Sequence, residues 1–156
     1  MNELDNLYKE IILEAAKERY GEGPLENADG ISHQVNPSCG DEVTMRVNLS
    51  DDGTRIDDIA WEGQGCSISQ ASISIMTDML EGESFDTFQD LYGRFRQMMD
   101  SQGEELPSEV LDSLEDAAAF HGVSKFPMRI KCALLGWMAI KDACAQAIAT
   151  KESNRE

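Results

Sequence analysis

The segment Asn36-Pro37-Ser38-Cys39-Gly40-Asp41 sets a thiol and a carboxylate two positions apart inside a turn. Pro37 fixes its own φ and biases Asn36 toward extended backbone, and Gly40 lets the chain bend sharply between the two functional residues. A loop built this way offers one soft and one hard donor from a single place, and the rest of the chain has to bring something to that pair. Two further cysteines lie in or next to turn-like sequence: Cys66 in Glu62-Gly63-Gln64-Gly65-Cys66-Ser67, and Cys132 in Arg129-Ile130-Lys131-Cys132. Cys39, Asp41, Cys66 and Cys132 are thus the candidate ligands of one metal ion.

The elements around these residues can be placed from periodicity. Leu4, Leu7, Tyr8, Ile11, Ile12, Ala15 and Ala16 recur at helical spacing, which predicts an amphipathic helix ending near Tyr20-Gly21. Glu22 to Gly30 reads as a loop. Val43, Met45, Val47 and Leu49 alternate with polar residues as in a half-buried strand, and Ser50-Asp51-Asp52-Gly53 is turn chemistry. A second strand from Arg55 to Trp61 then returns antiparallel to the first. Cys39 and Asp41 precede one strand and Cys66 follows its partner, and an antiparallel hairpin brings those two outer ends together. Ile31 to Val35 supplies a third strand.

Helical stripes follow: one starting at Cys66, one over Phe85–Met99, one after Pro107-Ser108 that carries Val110, Leu111, Leu114, Ala117 and Ala118, and a long one from Met128 to Ile148. The Asp100–Pro107 segment reads as a loop, and the residues from Lys151 as a polar, frayed tail. The expected architecture is α+β, a small antiparallel sheet of about three strands packed against several helices. Residues 1–150 form a single domain and residues 151–156 the tail.

Composition narrows the function classes. Thirty acidic against thirteen basic residues leave a net charge of −17. Such a surface repels nucleic acid and anionic membranes, both of which are bound through Lys and Arg, and it suits a basic partner. No apolar run approaches the ~20 residues of a membrane span and the first residues are acidic, so a cytoplasmic protein is expected. In a reducing compartment four cysteines are free thiols, metal ligands or catalytic groups sooner than disulfides.

Cys144 follows Cys132 by twelve positions on one predicted helix. At 1.5 Å rise per residue the two are roughly 18 Å apart and cannot share a metal. Cys144 also falls in register with Trp137, Ile140 and Ile148, as a small buried hydrophobe does. For the other three cysteines, spacing alone leaves a metal site and ordinary buried thiols equally open. Three thiolates and a carboxylate suit tetrahedral Zn²⁺, and an iron–sulfur cluster takes the same ligands. His33, in a strand, and His121, near a helix end, read as surface or hydrogen-bonded polar residues.

Three blocks in order carry a family resemblance: Asn36–Asp41, Gly65-Cys66-Ser67-Ile68-Ser69-Gln70-Ala71-Ser72, and Arg129 through Trp137. They resemble the IscU/NifU N-terminal family of iron–sulfur cluster assembly proteins, and its SufU branch more narrowly. Scaffold-type members carry a histidine just before the last cysteine, where this chain has Lys131, and the Glu83–Met99 helix looks like the insertion of the SufU branch. The SufU resemblance implies a zinc protein that accepts persulfide sulfur from a pyridoxal-phosphate cysteine desulfurase of the SufS type, in series with downstream iron–sulfur assembly proteins. It implies zinc ligation by Cys39, Asp41, Cys66 and Cys132, sulfur acceptance by Cys39, and an auxiliary role for Arg129. The alternatives are a scaffold on which a cluster is built, and a structural zinc module.

Overall fold

The computed structural model describes residues 3–154. Its elements run α1 (Glu3–Glu18), β1 (Gly30–Asn36), β2 (Asp41–Leu49), β3 (Ile56–Gln64), α2 (Ser67–Leu80), α3 (Phe85–Asp100), α4 (Ser108–Leu114), a 3-10 helix (Glu115–Lys125) and α5 (Pro127–Asn154). The three strands form one antiparallel sheet in the order β1-β2-β3. Burial alternates strictly along β2, with Val43, Met45 and Val47 fully buried. This is the pattern of a sheet with one face against a core.

Register is what gathers the sequence motifs. Asn36 pairs with Asp41, so Pro37–Gly40 is the loop of the β1–β2 hairpin. Glu42 pairs with Gln64, so the chain leaves β3 beside the residue that follows Asp41 and reaches Cys66 two positions later. Gly63 permits that pairing, because a Cβ there would lie 2.3 Å from the Glu42 carbonyl oxygen.

Helices α2 and α5 cover the buried face. Trp137 of α5 stacks on Phe95 at 4.8 Å between centroids and reaches Phe88 at 6.3 Å, which draws α3 into the same core. The Ser72 hydroxyl donates to the Ala133 carbonyl at 2.7 Å, tying α2 to α5 one residue past Cys132. Helix α1 packs on α2, and Arg19, just past its end, hydrogen-bonds Gln70 and the Gly63 carbonyl while its guanidinium lies 4.8 Å over the Trp61 ring.

Three boundaries differ from the sequence reading. Helix α1 stops at Glu18, since Arg19 turns to φ +50° and Gly21 to φ +84°. The stripe after Pro107 is not one helix: α4 ends at Leu114, Glu115 adopts φ +50° and ψ −127°, and the buried Ala117, Ala118 and Phe120 continue in 3-10 conformation. The α5 helix runs on to Asn154 instead of fraying from Lys151, whose ammonium lies 3.5 Å from Asp29; the last two residues of the expected tail lie outside the described residues. By length and composition α5 could cross a membrane, but 56% of its most apolar stretch is buried in the protein. Core packing accounts for that apolarity.

Candidate metal centre

Each thiol of the sequence motifs is delivered by a different element. Cys39 sits in the β1–β2 loop, held by hydrogen bonds from the Cys39 and Gly40 amides to the Asn36 carbonyl at 3.2 and 3.0 Å, with Gly40 at φ +70°. Cys132 lies in the second turn of α5 and is fully buried. Its sulfur is 3.2 Å from Cys39 Sγ. Asp41 opens β2 with its side chain turned inward and fully buried. Donor atoms of Cys39, Asp41 and Cys132 all lie within 4.8 Å of one another.

Cys66 stands at the edge of this group. It is the N-cap of α2, and its sulfur accepts the Ser69 amide at 3.5 Å. It also lies 4.0 Å from Asp41 Oδ2 but outside the mutually close trio. Of the four residues singled out from sequence, the structure gathers three tightly and sets the fourth beside the carboxylate.

The two oxygens of Asp41 have separate surroundings. Oδ1 accepts the Cys66 amide at 2.8 Å and lies 3.1 Å from the Ser69 hydroxyl. Oδ2 lies 4.0 Å from Cys66 Sγ, and the carboxylate also adjoins the Cys39 and Cys132 thiols, so Oδ2, which Oδ1's amide partner leaves free to turn to the sulfurs, is the ligand oxygen. Gly65 makes this possible, because a Cβ there would come within 2.3 Å of Asp41 Oδ1 and 2.7 Å of Ser69 Oγ.

Sequence reading assigned Asn36 to the turn alone. The structure gives it a second function: it is 6% exposed, its Oδ1 accepts the Ser38 amide at 3.3 Å, and its Nδ2 donates to Cys132 Sγ at 3.7 Å. Hydrogen bonds of this kind orient a ligand and stabilise a thiolate. Ser69 is the other residue missed. A serine three places after a cysteine was the available signal, since that is the spacing of an N-cap and the residue whose amide it receives.

Burial first, then the adjoining Cys39 thiol and Asp41, push the Cys132 thiol well above its ordinary pKa. With protein groups alone, then, the Cys132 sulfur stays protonated. A divalent cation reverses that preference by supplying the charge that the buried thiolates and carboxylate lack. Two close sulfurs, a free carboxylate oxygen and a third sulfur at the margin form a donor set that fits zinc.

Arg129 and Lys131 are exposed on the first turns of α5, and neither enters an ion pair among the described residues. His33 pairs with Glu42 on the exposed sheet surface at 3.1 Å, and His121 Nε2 meets the Glu104 carbonyl at 2.8 Å. Cys144 is fully buried, and burial pushes its thiol up to about 12, as befits a core residue.

A three-stranded antiparallel sheet with a cysteine–aspartate hairpin loop, a cysteine capping the following helix and a cysteine in the last helix define a class of iron–sulfur assembly domain. The chain belongs to the family of NifU-like N-terminal domains, whose pattern it matches over residues 7–133. It is 39% identical over 143 residues to the zinc-dependent sulfurtransferase SufU of Bacillus subtilis, covering 92% of each chain. It is 37% identical to the iron–sulfur cluster assembly scaffold protein IscU of Streptococcus pyogenes, covering 92% of this chain and 86% of that one. A crystal structure of the N-terminal part of a nitrogen-fixing NifU-like protein from Brucella abortus superposes with a TM-score of 0.79 at 26% identity, over 92% of this chain and 95% of that one.

Proposed function

We propose that this protein is a zinc-dependent sulfur carrier of iron–sulfur cluster assembly, taking persulfide sulfur from a pyridoxal-phosphate cysteine desulfurase. The observation that carries the reading is the contrast between Cys39 and Cys132. The two sulfurs adjoin, yet Cys132 is fully buried while Cys39 is half-buried on a hairpin loop and open to a partner. The similarity to a relative named as a zinc-dependent sulfurtransferase supports it.

In this reading Cys39, Asp41, Cys66 and Cys132 hold the zinc. When bound, zinc supplies positive charge that keeps the thiols deprotonated and, having no redox chemistry, does not oxidise them. The Cys39 thiolate attacks the terminal sulfur of the desulfurase persulfide. A new S–S bond forms on Cys39, the donor S–S bond breaks, and the donor cysteine leaves as thiolate. Asp41 stays in place on the Cys66 amide and the Ser69 hydroxyl, Asn36 keeps its hydrogen bond to Cys132, and Arg129 balances the anionic charge that arrives with the persulfide. The chain acts as one domain, cytoplasmic, with SufS-type desulfurase as donor and iron–sulfur assembly proteins downstream.

Cys39→Ala tests this. The variant should stay folded, bind the desulfurase and show a loss of sulfur transfer of at least about a hundredfold. Transfer near the wild-type rate would refute the reading. The scaffold alternative is favoured by the relatives named as IscU scaffold proteins. Anaerobic purification separates the two: one colourless zinc per chain supports the carrier, and an iron chromophore on the same residues supports the scaffold.

A further inference from the structure

The few cations of this acidic chain are not spread evenly. Arg19, Arg46, Arg55, Arg94 and Lys151 are paired with carboxylates. Lys9, Lys125 and Arg129 make no ion pair among the described residues, and all three border one groove of about 820 Å³ between α1, the 3-10 helix and the start of α5. Asp5 is the single carboxylate there. The groove is otherwise apolar, with Tyr8 and Ile12 from α1 and Ile68 from α2. At its mouth Phe126 and Met128 are 58% and 56% exposed.

The groove opens beside the metal centre. Met128 carries the carbonyl that lies 3.7 Å from Cys132 Sγ, and Ile68 follows Cys66 by two residues. A chain seated in it is therefore held next to the hairpin loop that presents Cys39.

We propose that this groove docks an acidic segment of the desulfurase, one that brings a large apolar side chain against Phe126 and Met128. The inference rests on the sulfur-carrier reading and adds the chemistry and place of the partner's contact. Over most of its surface a chain of net charge −17 repels an acidic segment. Such a segment is accepted where cations without carboxylate partners gather; Arg96 and Lys141 do so beside Tyr92, but this groove is the one that borders the start of α5, where the sulfur donor meets Cys39. A second copy of this chain lacks that complementarity, since it carries the same excess of negative charge. The overall charge taken alone points to a basic partner; at this face the local charge has the opposite sign.

The test uses full-length zinc-loaded protein and its cognate desulfurase, with binding followed by calorimetry and persulfide transfer measured separately. The double variant Lys9→Glu/Lys125→Glu and the single variant Phe126→Ser should each weaken binding at least about tenfold. The double variant should also flatten the salt dependence of binding, and both should keep their zinc and their far-ultraviolet circular dichroism. Lys17→Glu, the same charge reversal on the exposed part of α1 away from the groove, should stay within about twofold. Unchanged affinity in both groove variants, while Cys39→Ala still abolishes transfer, would overturn the docking inference and leave the carrier reading standing. Loss of self-association in place of desulfurase binding would overturn it in favour of a second copy. A wild-type protein that does not bind the desulfurase at all overturns both.

Discussion

Asp41 is a buried carboxylate whose geometry depends on a neighbour with no side chain. One of its oxygens is taken by the Cys66 amide and approached by the Ser69 hydroxyl, and the other is left for a metal. Gly65→Ala places a methyl group 2.3 Å from Oδ1. The carboxylate must swing away, the α2 cap loses its acceptor, and zinc affinity should fall roughly 10–100-fold in chelator competition, the usual cost of disturbing groups that orient a ligand. Unchanged affinity would mean that Asp41 is not held to the metal by this contact. Asn36→Asp is a narrower test. The new carboxylate still accepts the Ser38 amide, so the turn survives, but the donor to Cys132 is gone and a negative charge faces the thiolate. Zinc retention should fall by about tenfold, and in cobalt-substituted protein the sulfur-to-metal charge-transfer band should shift. A purely structural role for Asn36 would leave that band where it is. Cys39, Asp41 and Cys132 were legible as a group because donors in turns and helix starts are visible as residue types at positions. Asn36 and Ser69 were not, because their partners lie across the fold, and nothing local distinguishes an amide that closes a turn from one that also reaches a sulfur.

Among the elements, α5 does the most to position the centre, since it presents Cys132 and lies along β1. The contact is closest at Gly30, where an added Cβ would lie 1.9 Å from the Ala143 carbonyl oxygen and 3.0 Å from the Ala147 side chain. Both contacts belong to α5, one to its backbone and one to a methyl side chain, and neither is flexible enough to yield. Gly30→Ala should therefore cost at least about 2 kcal/mol, lowering Tm by roughly 4–8 °C in a calorimetric scan. A change within about 1 °C would show that α5 can slide off the sheet edge. The strands and most helices could be read from the sequence because their signals are local: alternation in β2, the turn at Ser50–Gly53, the helical stripe over Phe85–Met99 in α3. The break between α4 and the 3-10 helix was not legible. Val110, Leu114, Ala117 and Ala118 keep a helical spacing across it, and only the packing that buries Ala117 through Phe120 requires Glu115 to turn to positive φ. The register that makes Pro37–Gly40 a hairpin loop follows from pairing with β1, a strand whose exposed Ile31 and Val35 give it little apolar pattern.

At the scale of the molecule, helix α1 divides two electrostatic territories. One flank borders the groove with Lys9, Lys125 and Arg129. The other borders a cleft of about 200 Å³ lined by Glu14, Glu18, Asp78, Glu115 and Asp116 with no cation among its lining residues. The field there is strong enough to push the Tyr20 phenol above its ordinary pKa, chiefly through Glu81, with burial and then Asp78 adding to it. Such an arrangement opposes the compact state, and the ion pairs do little to offset it, since pairs at or near the surface are worth about 0–1 kcal/mol each. The balance has a measurable sign. Raising ionic strength from about 0.01 to 0.15 M shortens the Debye length from about 30 to 8 Å and screens repulsion between carboxylates on different elements. It also weakens the pairs, but they act over shorter distances and are fewer than the unpaired acids. Stability should therefore rise by about 1 kcal/mol and Tm by roughly 2–4 °C in sodium chloride, with zinc saturating throughout. Reversing a carboxylate of the acidic cleft, as in Glu14→Lys, should raise Tm at low salt and shrink that salt effect. A Tm that falls with salt would mean that paired charges, and not the acidic excess, set the electrostatic balance of the fold.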